Sequence, residues 1–209
     1  MRKLILISMV ILVSGCVTVP KKDYAQFLAA APRSILIVPV VNKSVNVDAP
    51  NYFLSSITLP VAEQGYYVFP VNMVKRVLED NGLSDADMVH RASVQKLASL
   101  FGADAVLYVN IERWDARYYV ISTTITVKLT YEIMDGKTGN PLWLDSRIVQ
   151  YTPQGSSSGN PIADLIVDVA VAAMEKAAPN YMPLAKQANA QAFAYPGPGI
   201  PPGPYSSQK

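Results

Sequence analysis

The stretch ISTTITVKLTYEI, from Ile121 to Ile133, decides the fold because it is the most regular alternation in the chain. Every second residue is apolar, β-branched or aromatic, and the residues between them are Ser, Thr, Lys and Glu. Successive side chains of a β-strand point to opposite faces. The pattern therefore predicts a long strand with one buried face and one wet face.

The sequence on either side predicts two partner strands. The turn-rich segment from Asp135 to Asn140 leads into Leu142 to Tyr151, the expected antiparallel partner. On the amino-terminal side, Ala105 to Trp114 is apolar on both faces at first and then alternates. This change predicts a strand that leaves the core as it runs.

The first hundred residues predict alternating strands and helices. Ile35 to Val41 and Tyr66 to Phe69 are short apolar runs typical of strands. Helical patterns lie around residues 50–64, divided by Pro60, around 73–78 and over 94–101. Another predicted helix follows Asn160, which supplies an N-cap before Pro161.

Together these elements predict an α+β fold in which helices pack on a mixed sheet. Half of the 209 residues are hydrophobic, which is enough for one core of ordinary size. We expect a single domain over residues 35–180 and a Pro/Gly-rich mobile tail over 181–209. Residues 16–34 are expected to be a tether between the amino terminus and the domain.

The first fifteen residues have the form of an export signal. Arg2 and Lys3 precede an apolar run from Leu4 to Val13, which is too short for a permanent membrane span. Val13, Ser14 and Gly15 then lead directly into Cys16, an arrangement that resembles the lipobox of bacterial lipoproteins. We therefore expect residues 1–15 to be removed and Cys16 to carry lipid.

Such lipidation implies a stable membrane partner, because several acyl chains hold a protein firmly where one chain does not. By resemblance to lipoproteins of enteric bacteria, Asp after the cysteine signals retention in the inner membrane. Here the next residue is Val17. The sequence therefore predicts a lipid anchor in the outer membrane, with the domain facing the periplasm.

Charge and composition exclude several classes of function. Removing Arg2 and Lys3 lowers Lys plus Arg from 18 to 16, which equals the 16 acidic residues. A neutral chain without a basic cluster is a poor nucleic-acid binder. Cys16 is the only cysteine and His90 the only histidine, so thiolate or imidazole metal sites lack ligands. We expect no metal and no cofactor.

Three short motifs show only a weak resemblance to known catalytic or binding motifs. Gly155 to Gly159 matches a hydrolase nucleophile elbow in form, but His90 precedes it where that fold places histidine after the serine. Gly136-Lys137-Thr138 echoes a phosphate-binding loop, yet it lies between two predicted strands. Acidic pairs near residues 79–80 and 85–87 fall at helix ends. We therefore expect a protein that is not an enzyme.

A possible partner surface lies near the end of the first long strand. Arg113, Trp114, Tyr118 and Tyr119 are residue types that concentrate in interface hot spots. The competing interpretation is an ordinary sheet edge and core. The long alternating strand also permits a membrane pore, but Leu142 to Tyr151 alternates poorly for that purpose.

Two further segments carry a resemblance to a known family. Together with the lipobox, Pro32 to Asn42 (PRSILIVPVVN) and Phe101 to Val109 (FGADAVLYV) resemble a family of bacterial outer-membrane lipoproteins of unassigned biochemical function. That family includes a meningococcal surface-antigen candidate. The order of elements is more distantly similar to the amino-terminal domain of TolB, to CsgG and to lipoprotein activators of peptidoglycan synthases.

The resemblance implies a protein that works by binding other envelope proteins. We expect a non-enzymatic accessory subunit of a cell-envelope assembly, with export or transport as the candidate process. The alternatives are an activator of peptidoglycan synthesis and a CsgG-like secretion pore subunit, and assembly into a homo-oligomer stays open.

Overall fold

The structure is a computed structural model, and it describes residues 22–119, 122–152 and 180–207. Four expected features lie outside the described residues: the signal peptide at 1–15, the lipobox with Cys16, the loop at 155–159 and the helix after Asn160. Across the three described ranges, no helix combines the length and the apolar character that crossing a membrane requires.

One mixed sheet organises the described chain. Its strands are β1 (Ser34–Ile37), β2 (Val41–Asn42), β3 (Tyr67–Val68), β4 (Ala105–Tyr119), β5 (Ser122–Asp135) and β6 (Pro141–Tyr151). The order is β3-β1-β4-β5-β6, and β2 pairs with β4 beyond the end of β1. β1 is parallel to β3 and β4, whereas β4, β5 and β6 are antiparallel neighbours. The predicted α+β fold with a mixed sheet is confirmed.

Helices lie on both faces of this sheet. They are α1 (Ala25–Ala30), α2 (Ala49–Glu63), α3 (Val71–Asp80), α4 (Ala86–Arg91), α5 (Val94–Phe101) and α6 (Met182–Phe193). The expected division at Pro60 is wrong, since α2 is one helix of 15 residues. Pro60 lies near its carboxyl end, where its missing N–H removes only the bond to the Ser56 carbonyl.

The alternation of β5 is confirmed where the structure describes it. The buried face consists of one row of side chains: Ile125, Val127, Leu129, Tyr131 and Ile133. Lys128, Thr130 and Glu132 point to the other face and are half-buried, and Thr126 on that face is only 1% exposed. The strand therefore has the predicted apolar and polar faces, but the polar face is partly covered and not fully wet.

Each face of the sheet has its own core. On the first face, α1, α2 and α6 cover alternate residues of β4 and β5, among them Leu107 and Leu129. On the second face, α3, α4 and α5 cover Leu36, Val38 and Val106. These three helices contact β1, β2, β4 and one part of β5. In the described chain, the second face of β6 consequently stays open.

The expected mobile tail at 181–209 is wrong over its described part. Residues 182–193 form α6, which packs on α2, β5 and β6. Its buried side is a row of mostly small residues: Leu184, Ala185, Ala188, Ala192 and Phe193. Pro183 does not break this helix, because it lies in the first turn, where no helical N–H is needed.

The Pro/Gly-rich segment after α6 is also part of the domain. Ile200 is fully buried, and the Tyr66 hydroxyl donates to the Pro201 carbonyl at 2.5 Å. Gly203 N–H donates to the Gln64 carbonyl at 2.7 Å. Its backbone passes so close to Gly65 that a Cβ on Gly203 would overlap the Gly65 carbonyl group. The segment therefore completes the first core.

The expected tether of 16–34 is wrong over its described part, from Lys22 onward. Phe27 of α1 is only 2% exposed and packs edge-to-face against Tyr66. The Tyr24 hydroxyl donates to the Gly197 carbonyl at 2.8 Å. The folded domain therefore includes everything described from Lys22 onward, and the expected domain of 35–180 extends at both ends.

A buried polar chain joins α6 to the sheet and to α2. The Tyr131 hydroxyl donates to Asn189 Oδ1 at 2.7 Å, and Asn189 Nδ2 donates to the Ser56 hydroxyl at 2.9 Å. Asn189 is fully buried, and burial raises the pKa of Tyr131 well above its ordinary value. Each group depends on the others, since a buried polar atom without a partner is costly.

Replacing Asn189 by Ala should destabilise the protein, because it leaves the hydroxyls of Tyr131 and Ser56 without this partner. We expect the free energy of unfolding to fall by about 1–3 kcal/mol, measured by urea denaturation. Gln187→Ala on the exposed side of α6 is the matched control and should change it by less than about 0.5 kcal/mol. Equal effects would contradict a structural role for α6.

Candidate functional site: a projecting β-ribbon

The longest extension of the sheet is the far section of the β4–β5 pair. It consists of residues 113–119 and 122–128 and is referred to below as the ribbon. β2 pairs with β4 only up to Ile111, and β6 pairs with β5 only from Ile125 onward. In the described sheet, the last three residue pairs, from Arg117 with Thr124 to Tyr119 with Ser122, therefore extend beyond every other strand.

A β-bulge at Glu112 sets which side chains the ribbon exposes. Ile111 pairs with Leu129, and Arg113 pairs with Lys128, so Glu112 is the extra residue. One inserted residue reverses the alternation of faces along the strand. As a result, Trp114 points to the same face as Ile111, and Arg113 points to the other.

Trp114 consequently lies in the first core rather than on a surface. Its side chain is 0% exposed and packs against Tyr181, with ring centroids 5.5 Å apart. Its indole N–H is buried and has no hydrogen-bond partner. The prediction that Trp114 contacts a partner is wrong for this structure, and its role here is packing.

The remaining predicted contact residues are divided between two faces. Arg113 and Tyr119 lie on one face, with Asp115 and Arg117 between them along β4. Tyr118 lies on the opposite face with Trp114. Tyr118 and Tyr119 are 39% and 55% exposed, so both reach solvent, but the four predicted residues do not form one patch.

The face that carries Tyr119 is cationic. Arg113 donates to Asp115 from Nη2 at 3.0 Å, and Arg117 Nε lies 3.7 Å from the other oxygen of the same carboxylate. One carboxylate balances only one of the two arginines, and Lys128 adds a further positive charge across the strand pair. Exposed arginine beside tyrosine suits a partner surface that supplies carboxylates.

The only histidine, His90, is a packing residue. Its Nε2 lies 3.0 Å from the Pro39 carbonyl, and its ring meets that of Tyr108 edge-on at 5.0 Å. Burial lowers the pKa of His90, against the opposing effects of this hydrogen bond and of Asp87. Burial also raises the pKa of Tyr108 to about 12. Because a carbonyl oxygen can only accept, His90 donates its Nε2 proton to Pro39.

The other chemical motifs that the structure describes are structural. Asp135 Oδ1 accepts hydrogen bonds from the backbone N–H groups of Lys137 and Thr138, both at 2.7 Å, which closes the hairpin turn expected there. Asp85 accepts from two backbone N–H groups at the start of α4. Among the residues that the structure describes, no three His, Cys, Asp or Glu side chains come together as a metal site.

Comparison with known proteins identifies the family. The family model described as "Putative lipoprotein GNA1162-like" matches residues 22–205, which is nearly the whole described structure. The chain belongs to this family. The resemblance seen in the sequence is thereby confirmed, and the match includes the carboxyl-terminal segment after α6.

Three proteins that are similar to this chain illustrate the range of similarity. The "Putative lipoprotein NMB1124/NMB1162" of Neisseria meningitidis serogroup B is 35% identical over 162 residues, which are 76% of this chain and 75% of that protein. The crystal structure of lipoprotein GNA1162 from the same species matches with a TM-score of 0.57 at 32% identity, covering 68% of this chain and 98% of that one. The PelC dodecamer of Paraburkholderia phytofirmans has a TM-score of 0.43 at 16% identity, over 73% and 87%.

Trp114 and Tyr119 should respond in opposite ways to truncation. Trp114→Ala removes a large side chain from the first core and should lower the free energy of unfolding by about 3–5 kcal/mol. Tyr119→Ala, the matched aromatic truncation on the exposed face, should change it by less than about 0.5 kcal/mol. Urea denaturation measures both, and a destabilising Tyr119→Ala would show that the ribbon face is packed.

Proposed function

We propose that this protein is an outer-membrane lipoprotein that faces the periplasm and serves as a non-enzymatic docking subunit of a cell-envelope assembly. Lipid on Cys16 holds it at the membrane, and the ribbon binds a protein partner. The observation that carries the proposal is the ribbon itself, which extends beyond the rest of the described sheet and exposes Arg117 and Tyr119.

The amino-terminal sequence supports the anchoring part of the proposal. Val13, Ser14 and Gly15 precede Cys16 as in a lipobox, and the chain belongs to a family of lipoproteins. Val17 follows the cysteine in place of the Asp that retains many enteric lipoproteins in the inner membrane. These features favour transfer to the outer membrane.

The ribbon supports the docking part. In the described sheet its last three residue pairs lie beyond every other strand, so Tyr119 can enter a partner's pocket without moving either core. Aromatic and arginine side chains supply most of the binding energy in many interfaces. The positive charge that Asp115 leaves uncompensated favours an acidic partner and speeds association.

Loss of the acylated cysteine should release the protein from the outer membrane. Cys16→Ser removes the thiol that accepts the lipid, so we expect no incorporation of labelled palmitate and no protein in the outer-membrane fraction. Ser14→Ala keeps a small residue in the lipobox and should retain both, which makes it the control. Labelled or outer-membrane Cys16→Ser protein would contradict the proposed anchor.

A photo-cross-linking residue placed on the ribbon should capture the partner in the native host. Tyr119→p-benzoylphenylalanine is expected to give a distinct adduct with another envelope protein. The control is the same replacement at Tyr67, which is 53% exposed. Tyr67 lies on β3, an outer strand of the described sheet that does not belong to the ribbon. Equal adduct yields at the two positions would contradict docking through the ribbon.

The charge of the ribbon face gives this experiment a second readout. Arg117→Glu should reduce the adduct at position 119 several-fold, because it reverses the charge offered to an acidic partner. Arg76→Glu, an exposed site on α3, should leave the yield unchanged. An adduct of twice the chain's own mass would instead identify the partner as a second copy of the protein.

A further inference from the structure

The first described residue is fixed against the outer strand β6. Lys22 Nζ donates to the Pro198 carbonyl at 3.0 Å and lies 3.5 Å from Asp145 Oδ1. The same ammonium group lies over the ring of Trp143, 4.3 Å from its centroid. These contacts determine where the chain leaves the folded domain toward its amino terminus.

Only five residues lie between Lys22 and Cys16. Fully extended, the six Cα–Cα steps span about 20 Å, and a flexible chain of that length averages about 13 Å. The opposite outer strand of the described sheet, β3, lies four strand spacings from β6, about 19 Å further away. A lipid on Cys16 is therefore held near β6 and far from β3.

A groove of about 940 Å³ runs along β6 at this exit point. Lys22, Tyr24, Leu144, Arg147, Tyr195 and Pro198 are among the residues that line it. Leu144 and Ile148, which are four residues apart in sequence, both point to the open face of β6. Each is 56% exposed. In the described sheet no further strand pairs with β6.

The residue types along this part of β6 are those found at the boundary between water and lipid. Tyrosine is enriched at membrane interfaces because its ring is apolar and its hydroxyl polar. Asp145 lies between Lys22 and Arg147 on one side of β6. On the other side, Glu132 pairs with Leu144 and Lys128 pairs with Ile148. One net positive charge is left for anionic headgroups, and Leu144 and Ile148 are apolar side chains of the type that inserts among lipids.

We propose that the β6 edge, consisting of Lys22, Tyr24, Leu144, Arg147, Ile148 and Tyr195, lies on the phospholipid surface of the membrane that holds the lipid anchor. This inference rests on the proposed lipidation of Cys16 and adds the orientation of the domain. Asp145 on β6 pairs with Tyr131 on β5, and Tyr131 pairs with Val109 on β4. Tyr119 lies ten residues after Val109. The end of the ribbon is therefore about 30 Å along the strands from the anchored edge.

Depth-dependent fluorescence quenching tests this orientation on the mature lipidated protein. The thiol of Cys16 is then blocked, so Leu144→Cys carries the only reactive thiol for an NBD label. The protein is reconstituted in vesicles of phosphatidylethanolamine and phosphatidylglycerol that contain spin-labelled lipid. Met73→Cys on α3 is the control, since Met73 is 61% exposed on the side of the sheet near β1.

We expect lipid quenching at position 144 to exceed that at position 73 at least twofold. A second pair of proteins carries the label at Ile148→Cys. Its lipid quenching should lose the excess over position 73 when Leu144→Glu places a carboxylate on the edge. With Met73→Glu the excess should remain. Equal quenching at 144 and 73 on vesicles that float with the protein would overturn the orientation alone. Protein that does not float with the vesicles would overturn the proposed anchor as well.

A label at position 144 that is shielded from water, yet not quenched by the spin-labelled lipid, would also overturn the proposal. That result would assign the β6 edge to a protein contact.

Discussion

The antiparallel pairing of β4 with β5 is the constraint on which the rest of the structure depends. It runs from Ala105 with Asp135 to Tyr119 with Ser122, with one bulge. Because β4 is buried on both faces over its first half, a shift of its pairing by one residue would turn the side chains of each core toward the other core. Asp135 opposes such a slip by closing the next turn through two backbone N–H groups.

Much of the sheet could be predicted because its strands are long and their alternation is regular. The alternation around Val127 gave the correct buried face, and the turn after Asp135 gave the correct hairpin partner. The face of Trp114 could not be predicted. The bulge at Glu112 reverses the alternation, and nothing in the identity of that residue marks it as the inserted one.

The prediction for the carboxyl-terminal part was wrong for a different physical reason. The buried side of α6 is built largely from alanines such as Ala188, which a search for large apolar residues passes over. Proline is usually unfavourable inside a helix, but Pro183 lies in the first turn, which accepts it. The segment near Ile200 is held by backbone and tyrosine hydrogen bonds, and composition alone does not reveal such bonds.

The burial of Ile200 and Phe193 in the first core has a consequence for how the chain acquires its structure. A polypeptide delivered amino end first lacks α6 and the following segment until residues 182–207 have emerged. Until then these residues cannot cover the apolar row around Leu129, and a chain that exposes such a row is aggregation-prone. The export proposed for this protein would benefit from the delay, because a loosely structured chain can pass a narrow translocation channel.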